Sequence, residues 1–385
     1  MSSTAIDVQA REGLALDAPN LCEAFARTAQ LYGKAPALRR HGDGAPLSWA
    51  QYARRVHAIA AGLAELGLDR GDTLAMMLLN SPETVLVDTA AMHLGAIPFS
   101  IYNTSSPEQI EYLLRHAKAG VLVSERRFAD AIAAVAPDLE ELRHVVFVDG
   151  FEHGEELTLA RVEALGSPEF DLDERRRRIG GGDIATLIYT SGTTGPPKAV
   201  ELTHENLLWE MRLLDRVFPM RAGGRVVSYL PMAHLAERWN SHYSALLSGA
   251  TATFCADVAE AIPAVAEVRP TAWGAVPRVW EKLKAALEAG FAAEPDEQRR
   301  AALRAALEAS LAAVRAEQRG ERVDVEVSRR REQADETIFA PLRERLGFGE
   351  TEHLISGAAP IAVEVLEFFA AIGIDICEIW GMTET

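Results

Sequence analysis

The chain has 385 residues, 48% of them apolar and 25% charged, with a formal net charge of −17. That length exceeds one ordinary compact domain, so two or three packed units around a sizeable core are expected. The acidic balance argues against a nucleic-acid surface, which needs the opposite sign, but not against a small anion held by local donors.

The first residues, Met1 to Pro19, mix polar and apolar side chains and lack the continuous apolar core of a signal peptide. No run of about 18 apolar residues occurs anywhere, so no transmembrane helix is expected, and peripheral membrane contact stays open. Cys22, Cys255 and Cys377 are few, odd in number and widely spaced. They read as small buried hydrophobes in a reducing, cytoplasmic protein, not as a disulfide or metal framework.

From Asn20 to about Asp149, helical and strand-like segments alternate. Tyr52, Val56, Ile59, Ala60, Leu63 and Leu66 recur at helical spacing within Ser48 to Leu66, and Gly67 ends that helix. Asp72 to Leu79 reads as a buried strand, and Ser81-Pro82-Glu83 opens a helix with Pro where its missing N–H costs nothing. Gly95 to Phe99 is strand-like again. Pro107 opens a helix over Glu108 to His116, and Gly120 to Val123 forms the next strand. Strands separated by helices predict parallel pairing with helices on both faces, hence an α/β protein. The charged run Asp173 to Arg178 reads as a solvated linker, with a phosphate-binding patch as the alternative.

The apolar, β-rich segment Ile184 to Tyr189 runs into Thr190-Ser191-Gly192-Thr193-Thr194-Gly195-Pro196-Pro197-Lys198. Four hydroxyls supply donors, two glycines admit an anion close to the backbone, and the lysine adds a mobile charge. This combination suits a polyphosphate. It is not a Walker A loop, because Pro197 precedes Lys198 and Ala199 follows it. Downstream, Thr203 is placed to cap a helix starting at His204. Between Val279 and Gly347, Leu303, Leu307, Leu311 and Val314 share one helical face, with Pro295 near its start. Ile338, Phe339 and Leu342 continue an apolar stripe interrupted by Pro341. That region predicts a helical excursion, about residues 281–346, packed along one face.

The loop from Tyr189 to Lys198 resembles the signature loop of the adenylate-forming superfamily, which includes acyl-CoA synthetases, luciferases and peptide-synthetase adenylation domains. Further matches follow in that family's order. Tyr229-Leu230-Pro231-Met232-Ala233-His234 resembles the segment beside its acyl pocket, and Ser356-Gly357-Ala358-Ala359-Pro360 resembles its adenine-binding turn. Trp380-Gly381-Met382-Thr383-Glu384 resembles the motif that reaches adenine, α-phosphate and metal. The resemblance spans about Asn20 to Thr385. It is strongest to long-chain acyl-CoA synthetases, through Ala233-His234-Leu235-Ala236-Glu237-Arg238, then Val276 to Lys282, then the helical excursion. Amino-acid adenylation domains would place an aspartate near His234, and none stands there.

The resemblance implies the large N-terminal domain of an adenylate-forming enzyme over residues 1–385. Its subdivision would be about 20–180 and 181–385, two sheet-plus-helix portions with a nucleotide groove between them. It implies ATP-dependent activation of a fatty acid to an acyl-adenylate and then to acyl-CoA, with ATP, Mg²⁺ and coenzyme A as the small-molecule partners. In that reading Thr190, Ser191, Gly192, Thr193, Thr194, Gly195 and Lys198 hold the phosphates. Ser356, Gly357, Ala358, Ala359 and Pro360 lie against adenine, with Trp380, Gly381 and Met382 beside it. Thr383 donates to the α-phosphate, Glu384 binds Mg²⁺, and His234 gates the acyl pocket. A core histidine is the alternative for His234, and a helix-surface ion pair is the alternative for Glu237 and Arg238. Cys377 has no neighbouring base, which leaves it outside catalysis.

Two residues depart from the pattern: Ala199 stands where the family has Gly, and Trp380 where it has Tyr. The family continues beyond Glu384 with a ribose-binding aspartate, a hinge and a small domain carrying a further lysine. The expectation is therefore a fragment or natural truncation, the C-terminal domain being absent, with little turnover of its own. Two other readings stay open: an acyl-AMP ligase serving a carrier protein, and a non-catalytic nucleotide- or acyl-binding remnant. Oligomeric state is not legible.

Overall fold

Helix starts in this chain are written by small polar residues. Ser48 accepts the Gln51 N–H while the Gln51 side chain returns to the Ser48 backbone, opening the helix Trp49–Glu65. Ser106 and Gln109 repeat this box at Pro107–Ala117, with Pro107 in the first turn, and Thr203 and Asn206 repeat it at His204–Val217. The computed structural model describes residues 12–150, 156–190 and 195–385. Two compact units result, residues 1–261 together with Glu384, and residues 262–383 with Thr385.

The first unit contains the strands β1 (Pro36–Arg40), β2 (Leu47–Ser48), β3 (Thr73–Met77), β4 (Ile97–Ser100), β5 (Val121–Ser124) and β6 (His144–Phe147). It continues with β7 (Leu157–Thr158), β8 (Ile184–Thr190), β9 (Lys198–Thr203), β10 (Arg225–Ser228) and β11 (Thr251–Phe254). Five of these form a wholly parallel sheet in the order β4-β3-β5-β6-β7. A second sheet runs β10-β11-β1-β2, with β1 parallel to β11 although about 210 residues separate their paired residues. The antiparallel hairpin β8–β9 leans on the first sheet through Phe99 and Tyr189, whose ring centroids lie 5.5 Å apart, and through Thr186 Oγ1 donating to Pro98 O.

Parallel strands are buried on both faces, which is why β3 and β5 read as near-continuous apolar runs. The helix Pro82–His93 is enclosed too, with eleven of its twelve residues buried. The same core, on the face of the sheet that carries Leu74 and Val121, gathers Phe25, Trp49 and Tyr52, the Phe25 and Tyr52 rings meeting edge-on at 4.8 Å. Full burial of each such ring contributes about 1.5–3 kcal/mol, so this cluster anchors the N-terminal helix Leu21–Leu31.

The charged run from Asp173 is a short helix, Leu172–Arg177, not a linker. Asp171 caps it, and acids at its start with arginines at its end complement the helix dipole. Each arginine meets an acid: Arg175 with Asp69, Arg176 with Glu23 and Asp173, Arg177 with Asp171, Arg178 with Glu174. Phosphate binding would have to break these pairs.

The second unit carries the parallel sheet β12 (Ala272–Ala275), β13 (His353–Ser356) and β14 (Ile376–Glu378). Trp273, Trp280, Phe348 and Phe369 interlock beside it. Between β12 and β13 run the helices Pro277–Ala292, Glu297–Gln318, Val325–Ala334 and Ala340–Leu346. The buried face of Glu297–Gln318 is Ala306, Ser310, Ala313 and Val314, while Leu303, Leu307 and Leu311 flank it, half-buried. The leucine spacing thus finds the helix but misplaces its seam, since close helix packing prefers the small side chains. Before Pro341 the chain widens into a π-turn, Asp335–Phe339, where the missing N–H and the proline ring disrupt the regular ladder. Cys22 and Cys255 are buried, but Cys377 is exposed, because β14 is an edge strand. No helix among the described residues is long and apolar enough to cross a membrane.

Candidate active site

In the first unit the β8–β9 hairpin presents the phosphate-loop residues. Thr190 closes β8 and lies directly across from Lys198, the first residue of β9. Lys198 is exposed. Glu384, which groups with this unit, accepts a hydrogen bond from Thr190 Oγ1 at 3.2 Å. The Thr190 hydroxyl and the Glu384 carboxylate thus meet at the loop mouth, beside the strand position of Lys198. Ser191, Gly192, Thr193 and Thr194 lie outside the described residues, whereas Gly195 is described and exposed.

The loop base is held from beneath by residues that sequence reading missed. Tyr112 donates to Pro197 O at 2.9 Å, and the Tyr189 hydroxyl meets His116 Nδ1 at 2.9 Å. Burial pushes the Tyr189 phenol up to about 12, so it stays protonated and hydrogen-bonding at any ordinary pH. Tyr112 and His116 sit one turn apart on the helix Pro107–Ala117, and only that i, i+4 spacing hinted at a shared role.

His234 is exposed, not a core histidine. Its Nδ1 accepts the Ala236 N–H at 3.1 Å and caps the short turn Leu235–Glu237. Partial burial of the ring lowers its pKa below the usual histidine value, which favours the neutral form. Glu237 and Arg238 are fully buried and are not a helix-surface pair. Glu237 Oε2 accepts the Leu230 N–H at 3.1 Å, and Oε1 accepts from Ser241 Oγ at 2.7 Å. It therefore pins the Tyr229–His234 segment from behind. Burial raises its carboxyl to about 7, against the lowering effect of those donors.

Arg238 opens a π-turn, Arg238–Tyr243, and points the other way, onto Asp88 in the enclosed helix. His242 Nε2 donates to the second Asp88 oxygen at 3.0 Å, and Arg238 also donates to the Tyr243 hydroxyl and Ser100 Oγ. Burial pushes the Asp88 carboxyl up, but Arg238 and His242 outweigh it and hold it below its usual value. Burial lowers His242, so the buried set carries one anion and one cation. A π-turn recurs at functional sites because it swings side chains out of the α-helical register. Here it sends Arg238 and His242 to the same carboxylate.

In the second unit Ser356 ends β13, and the backbone turns through Gly357 to Pro360. Ala358 adopts φ +72°, a left-handed conformation that costs a non-glycine residue about 1–3 kcal/mol and clusters at binding turns. Gly357 packs against Ile379, where an added Cβ would lie 2.9 Å from Ile379 Cγ1. The Ile379 N–H donates to Ser356 O, which fixes the turn beside the Trp380 segment. Ser356 Oγ is buried without a hydrogen-bond partner among the described residues. Trp380 is 84% exposed. A strained turn, an unsatisfied hydroxyl and an open indole face fit a flat heterocycle with polar edges.

Comparison with known proteins identifies the family. The model of a family described as AMP-binding enzyme matches residues 25–385. A Mycobacterium tuberculosis protein named as a fatty-acid–CoA ligase, fadD11, is 48% identical over 229 residues, covering 59% of this chain and 40% of that one. The long-chain-fatty-acid–CoA ligase ACSBG2 of Gallus gallus is 30% identical over 397 aligned positions, covering 97% of this chain and 51% of the relative. The chain spans about half the length of the curated relatives it matches. Among solved structures, the N-terminal domain of FACL13 from Mycobacterium tuberculosis has a TM-score of 0.70 at 19% identity, over 95% of this chain and 76% of that one. At that identity the likeness shows the fold, that of the N-terminal domains of adenylate-forming enzymes.

Proposed function

The chain belongs to the AMP-binding enzyme family, and from that premise we propose that it activates a fatty acid with ATP, forming an acyl-adenylate that passes to coenzyme A. The observation that carries this is the Thr190–Glu384 hydrogen bond at one hairpin mouth, with Lys198 paired across the strands from Thr190. The relatives' names support a long-chain fatty acid as the substrate class.

In this reading residues 1–385 act as one adenylation domain. The fatty-acid carboxylate attacks the α-phosphorus of ATP and pyrophosphate leaves. No side chain here needs to become a covalent intermediate, so the protein contributes positioning and charge. Lys198 and the hydroxyls of Thr190, Ser191, Thr193 and Thr194 hold the phosphates, with Gly192 and Gly195 admitting them to the backbone. Thr383 donates to the α-phosphate. Ser356 to Pro360 cradle adenine, and Trp380, with Gly381 and Met382, offers the stacking face. His234 borders the acyl chain, and Glu237 fixes the segment that carries it. The exposed Glu384 carboxylate and its hydroxyl neighbour are hard oxygen donors that fit Mg²⁺, and the ion would supply charge neutralisation at the phosphates. Sparse cysteines without disulfide spacing support a cytoplasmic setting.

Calorimetry tests the assignment. A charge-assisted contact contributes about 1.5–3 kcal/mol, roughly tenfold to a hundredfold in affinity. Lys198→Ala should therefore weaken ATP by that factor and leave AMP within about twofold. Equal losses for both nucleotides would remove Lys198 from phosphate binding. A non-hydrolysable fatty-acyl-adenylate analogue should bind more tightly than its aminoacyl counterpart, and the reverse order would overturn the substrate class.

A further inference from the structure

A second group of chemically active side chains, with no role in the proposed adenylation, lies next to the start of the Tyr229–His234 segment. His41 follows β1 and Cys255 follows β11, and these two strands are parallel neighbours with Arg40 paired to Phe254. The pairing register therefore sets His41 beside Cys255, each one residue past a strand's carboxyl end. Both positions are fixed by the backbone: the His41 N–H donates to Phe254 O at 2.9 Å, and the Cys255 N–H donates to Ser228 O at 2.8 Å. Glu260 joins them from the short 3₁₀ turn Val258–Glu260, which Asp257 caps. His41 Nδ1 lies 3.5 Å from Glu260 Oε2, and one imidazole nitrogen, the thiol sulfur and one carboxylate oxygen all lie within 4.8 Å of one another.

We propose that His41, Cys255 and Glu260 form a binding site for a zinc-type divalent transition-metal ion, with water completing a tetrahedron. Bond lengths of about 2.0–2.2 Å to nitrogen and oxygen place tetrahedral N and O ligands about 3.3–3.5 Å apart, the spacing of His41 and Glu260. A sulfur at about 2.3 Å from the ion sits about 3.6 Å from the other ligands, so the thiol needs a movement of at most about 1.3 Å. One soft, one borderline and one hard donor suit zinc and exclude magnesium, which takes oxygen ligands. Cys255 is buried, the His41 side chain is 15% exposed, and that of Glu260 is 43% exposed, so an ion enters from the glutamate side. Binding replaces the thiol proton, which passes to buffer, and leaves the imidazole neutral with Nδ1 on the metal. In open α/β sheets ligands gather beyond the carboxyl ends of strands, where this trio stands.

The test uses tag-free reduced protein and cobalt(II), whose bond to a thiolate gives a charge-transfer absorption. One equivalent should bind with that band, and zinc should displace it. Cys255→Ser should lose the band. Glu260→Gln, a change at a half-exposed turn that leaves the fold intact, should weaken cobalt at least tenfold. Because Glu260→Gln tests the site without touching the core, a misfolded Cys255→Ser protein does not remove the discrimination. Absence of the band at stoichiometric cobalt would overturn the proposal. So would its survival in Cys255→Ser, which would point to Cys22 or Cys377, or unchanged affinity in Glu260→Gln.

Discussion

Replacing Asp88 by asparagine tests whether the π-turn Arg238–Tyr243 is held by a buried charge pair. Asp88 and Arg238 are both 1% exposed, and the carboxylate takes hydrogen bonds from Arg238 and His242. The amide of Asp88→Asn keeps the shape but strands a guanidinium whose remaining partners, Tyr243 and Ser100, are neutral. Breaking a buried pair from one side costs about 3–5 kcal/mol, because the other charge stays desolvated. Arg238→Met should cost less, and its cost should depend on pH. Arg238 is one of the influences that lower His242, so its loss lets His242 take a proton and become the counter-ion. The Arg238→Met protein should therefore lose less stability near pH 5.5 than at pH 8. The Asp88→Leu, Arg238→Met pair should lie within about 2 kcal/mol of the parent, since apolar replacement of a whole buried pair is often neutral. Urea melts of the parent, the Asp88→Leu and Arg238→Met single variants and this double variant give the coupling energy. If the single losses add to the double within about 0.5 kcal/mol, the two side chains are independent and the account of this π-turn fails.

Three further outcomes are expected. Glu237→Gln should gain stability relative to the parent as pH rises from 4.5 through about 7. The folded-state carboxyl is raised, so its favourable contribution is complete below 4.5 and lost by pH 8, a difference of about 3 kcal/mol in denaturant melts; a flat difference refutes it. His204 accepts the Leu21 N–H, and burial lowers it to about 4, so its contribution holds above pH 6.5 and is lost as pH falls towards 4. His204→Asn should be less acid-sensitive over that window by up to about 3 kcal/mol, and equal acid unfolding of both proteins would contradict this. Gly347 and Gly320 share positive φ, but an added Cβ at Gly347 lands 2.0 Å from Val265 O while Gly320 has open space. Thermal melts should show Gly347→Ala losing about 2–5 kcal/mol and Gly320→Ala about 1–2 kcal/mol, and equal losses would mean the collision is relieved at no cost.

What could be read from the residues was whatever depends on near neighbours. Ser48, Ser106 and Thr203 announce helices because a capping box needs four consecutive residues and nothing else. The apolar runs of β3 and β5 announce buried parallel strands for the same local reason. The β8 loop suggests a phosphate cradle because its donors are consecutive, and that role belongs to the proposal. By contrast, Asp88 is one acid in an otherwise ordinary helix, and only a residue 150 positions later gives it a role. Glu237-Arg238 looks like a solvent pair because sequence adjacency says nothing of two side chains leaving a π-turn towards different partners. The leucines of Glu297–Gln318 fit the helical period, yet the seam belongs to the smaller residues one step away. Tyr112 and His116 support the β8–β9 hairpin only through a fold that brings their helix beneath Pro197.

The strand β1 pairs with β11 and nothing nearer in the chain than β2. During synthesis at about 5–20 residues per second, its true neighbour leaves the ribosome roughly 10–40 s later. Trp49 and Thr28 wait equally long, since their hydrogen-bond acceptors are Gly249 O and Leu246 O. The five-stranded sheet needs only residues 73–158, so it can close first and leave β1 with its ladder edge open. Nascent chains of this protein should thus engage a holding chaperone through their first 60 residues until about residue 255 emerges, and ribosome-bound intermediates of graded length would show the release point.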